Sequence, residues 1–106
     1  MYFCFAQNSL AGGINNLASG ACSIIGGGSL NTGSGAFSVV GGGYNNKVTN
    51  TYSVVVGGCS NSVSSYCGFI GGGGSNQSLQ VGSVVVGGFS NSSYELPNSS
   101  RKVNIG

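Results

Sequence analysis

The stretch Ser53-Val54-Val55-Val56-Gly57-Gly58-Cys59-Ser60-Asn61 decides the fold, because the chain repeats it. Fifteen residues earlier stands Ser38-Val39-Val40-Gly41-Gly42-Gly43-Tyr44-Asn45-Asn46, and fifteen later Gly68-Phe69-Ile70-Gly71-Gly72-Gly73-Gly74-Ser75-Asn76. The same frame recovers Ser23-Ile24-Ile25-Gly26-Gly27-Gly28, Ser83-Val84-Val85-Val86-Gly87-Gly88 and Asn8-Ser9-Leu10-Ala11-Gly12-Gly13. Six copies at a strict fifteen-residue period, from Asn8 to Pro97, mark a repeat architecture.

Numbering columns from the first residue of each copy gives every position a physical role. Column three is always a branched aliphatic: Leu10, Ile25, Val40, Val55, Ile70, Val85. Column two, Ser9, Ile24, Val39, Val54, Phe69 and Val84, is apolar in five of six copies. Columns five and six are invariably glycine: Gly12-Gly13, Gly27-Gly28, Gly42-Gly43, Gly57-Gly58, Gly72-Gly73 and Gly87-Gly88. Column nine is invariably asparagine: Asn16, Asn31, Asn46, Asn61, Asn76 and Asn91.

A unit this short has no room for two helices, and its runs of β-branched residues favour strands. Paired glycines supply the positive φ or close backbone approach that a tight corner needs. A corner at the same place in every copy winds the chain into coils stacked in parallel, about 4.8 Å apart. The expected fold is therefore all-β: a parallel β-solenoid, or β-roll, of six fifteen-residue coils. Residues 1–7 would be a partial coil or lead-in, 8–97 the solenoid, and 98–106 a tail or the start of a following segment. Inward asparagines stacked above one another are expected to form a hydrogen-bonded ladder that satisfies corner backbone groups.

The two halves of each coil differ. Column eleven (Ala18, Gly33, Val48, Val63, Ser78, Ser93) is small or apolar and in phase with the asparagines, whereas columns ten and twelve are mostly polar. That strand has one buried and one wet face. The first strand has adjacent apolar residues, so both of its faces want cover. An exposed ladder of Ile24, Val39, Val54, Phe69 and Val84 would be an apolar stripe of the kind that marks an interface, and a cyclic oligomer closes it most simply. The columns leave open whether two or three chains close the ring, and whether column two or column three faces the partner.

At these residues the sequence resembles the left-handed parallel β-roll repeats of trimeric surface fibres. Ser53-Val54-Val55-Val56-Gly57 and Ser83-Val84-Val85-Val86-Gly87 are similar to the head repeats of trimeric autotransporter adhesins. Ser38-Val39-Val40-Gly41-Gly42-Gly43-Tyr44-Asn45-Asn46, with Asn31-Thr32-Gly33-Ser34-Gly35 for its tail, resembles more closely the fifteen-residue repeat of phage and large-virus fibre proteins. The resemblance implies a trimeric shaft or head on a virion or cell surface, with no catalytic residues. The chain departs from it after Tyr94, where Glu95-Leu96-Pro97 breaks the coil. Halves of the coil also resemble plant ice-binding β-rolls, but Lys47, Gln77, Leu79 and Tyr94 interrupt the candidate ice face.

The composition excludes most chemistry. The chain of 106 residues has 22 glycines, no histidine, no aspartate and Glu95 as its single acid, so general acid–base catalysis lacks its parts. No enzyme activity, cofactor or metal site is expected. A net charge of +2 makes no basic patch for nucleic acid, and no apolar run is long enough to span a bilayer. The expected function is a structural or adhesive fibre segment, extracellular or on a virion surface. Its partner would be itself, as a trimer or a head-to-tail filament, together with a host-surface glycan or receptor. A self-assembling filament subunit and an ice- or glycan-binding solenoid are the competing readings.

Cys22 and Cys67 share column fifteen but lie three coils apart, about 14 Å, too far to bridge. The cysteines read as small buried side chains, with pairing between chains left open. Of the glycosylation sequons at Asn76, Asn91 and Asn98, the first two belong to the inward ladder, which leaves Asn98 as the acceptor if the protein is secreted. Phe37, Tyr44, Tyr52 and Phe89 at the corners would cover those corners or stack on sugars.

Overall fold

The computed structural model describes Ser9–Leu10, residues 12–93 and residues 103–106. It is a parallel β-solenoid without helix, making about five full turns over the described residues. Each coil contributes two strands of two residues. Ser9–Leu10 (β1), Ile24–Ile25 (β3), Val39–Val40 (β5), Val54–Val55 (β7), Phe69–Ile70 (β9) and Val84–Val85 (β11) stack in one sheet. Leu17–Ala18 (β2), Thr32–Gly33 (β4), Lys47–Val48 (β6), Ser62–Val63 (β8), Gln77–Ser78 (β10) and Ser92–Ser93 (β12) stack in the other. A third line of parallel bridges runs through Ile14, Ser29, Tyr44, Cys59, Gly74 and Phe89 in column seven. Register between coils is fifteen residues throughout, as in Val39↔Val54 and Lys47↔Ser62.

One strand breaks that count. Val103–Asn104 (β13) pairs with β11 through Val84↔Val103 and Val85↔Asn104, nineteen residues on instead of fifteen. The C-terminal stretch thus adds a seventh strand to the first sheet. The expected lead-in at residues 1–7 lies outside the described residues.

The core is a narrow seam. Ile25, Val40, Val55, Ile70 and Val85 from column three meet Val48 and Val63 from column eleven, all fully buried, and Ala18 packs against them. Column three therefore points inward and column two outward. Each buried aliphatic contributes about 1.5–3 kcal/mol. Backbone ladders bind each coil to the next, as in Val54 N–H to Gly68 O (3.0 Å) and Val56 N–H to Ile70 O (2.9 Å).

The corners hold a feature that the columns did not disclose. Besides the column-six glycines, ten non-glycine residues have φ between 54° and 59°. They fall in two columns: Asn15, Leu30, Asn45, Ser60, Ser75 and Ser90 in column eight, and Cys22, Phe37, Tyr52 and Cys67 in column fifteen. A left-handed residue reverses its N–H. Where most ladder N–H groups donate to the following coil, Leu30 donates to Ile14 O (3.0 Å) and Tyr52 to Ala36 O (3.0 Å) in the preceding one. Asparagine tolerates this conformation at low cost, while a bulky side chain pays about 1–2 kcal/mol. Leu30 is 43% exposed, so little packing opposes its replacement. Leu30→Asn is expected to raise stability by about 0.5–1 kcal/mol in urea unfolding, matching its column neighbours Asn15 and Asn45.

Candidate functional site

The asparagine column is buried as a continuous line: Asn31, Asn46, Asn61 and Asn76 are fully enclosed, with Asn16 and Asn91 half-buried at its ends. Its bonds run mainly through the backbone. The Asn61 Nδ2 donates to Gly57 O (2.9 Å) within its own corner and to Gly73 O (3.1 Å) one coil on. Its Oδ1 accepts the N–H of Asn76 at 3.0 Å, and its own N–H donates to Asn46 Oδ1 at 3.0 Å. Asn31, Asn46 and Asn76 repeat the pattern. Direct amide-to-amide contact occurs between Asn31 Nδ2 and Asn16 Oδ1 (3.1 Å). Each asparagine thus fixes the corner above and below it. Modification of Asn76 would require removing it from the interior, and Asn98 lies outside the described residues.

The twelve turn glycines divide by role. In column six, a Cβ on Gly13, Gly28, Gly43, Gly58 or Gly73 would fall 2.0–2.2 Å from the carbonyl oxygen of the next coil's glycine. All of column six has φ between 86° and 97°. Column five is different: a Cβ on Gly12, Gly27, Gly72 or Gly87 would meet nothing within 4 Å. Gly57 and Gly87, which follow valines, do not even adopt a positive φ. Coils pack tightly at column six and leave space at column five.

A second inward line went unread in the sequence. Ser23, Ser38, Ser53 and Ser83 of column one are fully buried, as is Gly68. Ser65 and Gln80 of column thirteen are also enclosed, with Ser78 and Ser93 of column eleven. Ser53 Oγ donates to Ser65 O (2.7 Å) and accepts Gly68 N–H (3.0 Å), while Ser78 Oγ bonds both Ser65 Oγ and Ser83 Oγ. A regular serine every fifteenth residue next to a strand was the available signal.

Outward, the two sheets differ in chemistry. The face of the first sheet carries Ile24, Val39, Val54, Phe69 and Val84, with Ile24 exposed and the rest half-buried. On one side of them column four supplies Gly26, Gly41, Val56, Gly71 and Val86. On the other, column fifteen supplies Cys22, Phe37, Tyr52, Cys67 and Gly82. Across these fifteen residues the Tyr52 hydroxyl is the single side-chain oxygen and none is charged. The second sheet is mostly polar outward, with Thr32, Lys47, Ser62, Gln77 and Ser92 in column ten and Ser34, Thr49 and Ser64 in column twelve, interrupted by the exposed Leu17 and Leu79.

The aromatic corner closes on itself. Phe37 and Tyr52 stack at 5.2 Å with planes 12° apart, and Tyr66 meets Tyr52 edge-on at 5.7 Å. The facing sides of Phe37 and Tyr52 cover one another instead of lying open to a sugar ring. The cysteines correct the sequence reading. Cys59 and Cys67 are exposed free thiols, because columns seven and fifteen turn outward at corners, and Cys22 is disulfide-bonded.

Among the described residues no three histidine, cysteine or acidic side chains gather to hold a metal ion, and no helix is long and apolar enough to cross a membrane. No protein-family model matches the chain, and no curated protein or solved structure matches it significantly.

Proposed function

We propose that this chain is a non-enzymatic structural or adhesive segment of an extracellular or virion-surface fibre, assembling with copies of itself about the outer face of its first sheet. The observation that carries the reading is the contrast between the two sheet faces. One is apolar across three adjacent columns; the other bears hydroxyls, amides and Lys47. Apolar side chains gathered on one side favour a partner of the same kind, and a cyclic arrangement covers the stripe on every copy at once. Three chains are the number that the likeness to surface-fibre repeats suggests. The disulfide at Cys22 fits an oxidising compartment outside the cytosol. With coils joined by unbroken backbone ladders, the role is mechanical: a stiff rung-on-rung rod that spaces or presents a binding tip. A host glycan or receptor would be met by that tip or by neighbouring parts of the fibre.

The test is the mass of the purified protein in solution by light scattering, compared with Val54→Lys and Ser62→Lys. Both side chains point outward, one from each sheet, so each variant is expected to keep its β-sheet circular dichroism. The expected result is a discrete oligomer, a trimer on this reading, for the parent and Ser62→Lys, and a shift toward monomer for Val54→Lys. Long filaments in negative stain would favour head-to-tail subunits instead, and a stable monomeric parent would remove the partner reading.

A further inference from the structure

We propose that copies of this chain lock into a covalent ring through disulfides between Cys59 of one copy and Cys67 of the next. The inference rests on the reading of the first-sheet face as the contact between copies. Cys59 and Cys67 are exposed free thiols, and they stand on opposite sides of the first-sheet strands. Cys59 is in column seven, past the glycine corner that follows β7, where it bridges Tyr44 and Gly74. Cys67 is in column fifteen, at the left-handed corner that leads into β9.

Symmetry brings the two thiols together. The apolar residues Ile24, Val39, Val54, Phe69 and Val84 run the length of the stack, so a ring that covers them has its axis along the stack. Such an axis carries each residue to the same height in every copy. It also sets the edge that follows the strand in one copy against the edge that precedes it in the next. Cys59 and Cys67 lie half a coil apart in a stack that rises about 4.8 Å per coil, so their heights differ by about 2.6 Å. A disulfide spans about 4.4–6.8 Å between Cα atoms, and the offset falls within that reach. The corner above Cys59 is the glycine run Gly71-Gly72-Gly73-Gly74, and Gly82 follows Cys67 in its column. Little side-chain bulk of the next coil therefore stands beside either sulfur, the Phe89 ring against Gly74 being the exception.

Cys22, in the same column as Cys67, is disulfide-bonded, and a compartment that maintains such a bond oxidises exposed thiols that can meet. The oxidant is a small-molecule disulfide of the glutathione class. The Cys67 sulfur attacks it and releases one thiol, and the neighbouring copy's Cys59 sulfur then displaces the second. One S–S bond forms between the copies and one breaks in the oxidant, which takes up the two electrons and two protons.

The test is incubation of the purified protein with oxidised glutathione, read by denaturing gel electrophoresis without reductant and by mass spectrometry of linked peptides. The expected result is a covalent species with the chain number that light scattering gives, joined through Cys59 and Cys67 and returned to single chains by reductant. Cys59→Ser and Cys67→Ser should each lose that species while keeping the oligomer mass in light scattering, because both side chains are exposed. A parent that is oligomeric by light scattering yet runs as a single chain on the gel would overturn the covalent lock and leave the contact face standing. Links of Cys59 to Cys59 or of Cys67 to Cys67, the pairs that antiparallel copies form, would overturn it as well. A parent that is monomeric by light scattering would remove both the lock and the contact face.

Discussion

Gly58→Ala is expected to lower stability by about 3–5 kcal/mol, enough to unfold much of a domain whose whole margin is ~5–15 kcal/mol, while its neighbour Gly57→Ala changes it by less than ~1 kcal/mol. The two glycines are adjacent and look equivalent in the sequence. Gly58 has φ +96°, and its Cβ would lie 2.2 Å from Gly73 O and 2.7 Å from Asn61 Nδ2. Backbone strain at such a position costs about 1–3 kcal/mol, and overpacking adds about as much. The displaced atom matters too: Gly73 O accepts both Cys59 N–H (2.9 Å) and Asn61 Nδ2 (3.1 Å). Gly57 does not have a positive φ, and its nearest atom to a Cβ would be Gly42 O at 3.9 Å. Urea unfolding of the two single variants checks the contrast. Equal costs would mean that the close approach between coils at column six does not decide which glycine tolerates a side chain.

The second large effect is expected at Asn61. Asn61→Leu removes the acceptor of Asn76 N–H and the donor to Gly57 O, and leaves both backbone groups enclosed without a partner. Each such group costs about 1–3 kcal/mol, and the branched side chain must also enter a column shaped for a flat amide. A loss of about 3–5 kcal/mol follows, or ~12–30 °C in melting temperature for a domain of this size. Ser62→Leu, one residue along and pointing outward, is expected to stay within ~0.5 kcal/mol. Thermal melts followed by circular dichroism separate the two, and equal small effects would remove the asparagine line from the set of structural determinants.

Much of this fold was legible because a solenoid writes its contacts into one dimension. Val40, Val55 and Ile70 recur at one spacing, and that spacing is the register of the sheet. Asn46 and Asn61 are invariant in kind because each must bond the next coil in the same way. What stayed hidden has physical reasons as well. The left-handed corners at Leu30, Phe37 and Tyr52 are imposed by the stacked backbone against the residues' own preference, so the side chains give no sign of them. Ser38 and Ser53 look like surface serines because the residues on either side, Phe37 or Tyr52 and Val39 or Val54, face outward and give no sign that the hydroxyl between them is buried. β13 escaped because four additional residues shift it out of the period. The apolar outward column of Ile24, Val39, Val54, Phe69 and Val84 was visible in the sequence, whereas the exposure of Phe37, Tyr52 and Cys67 at the column-fifteen corner was not.

That displaced strand has a bearing on how such a chain can change. Val103 regains alignment with Val84 although the path between them is longer than every earlier one by four residues. Four more residues between β11 and β13 are therefore compatible with continued pairing in the first sheet, whereas an extra residue inside β7 or β9 would turn the core outward. The molecule is modular in the way of a ladder: its rungs are countable, its length adjusts in steps of one rung, and additional residues can be carried between two rungs without retuning the rest.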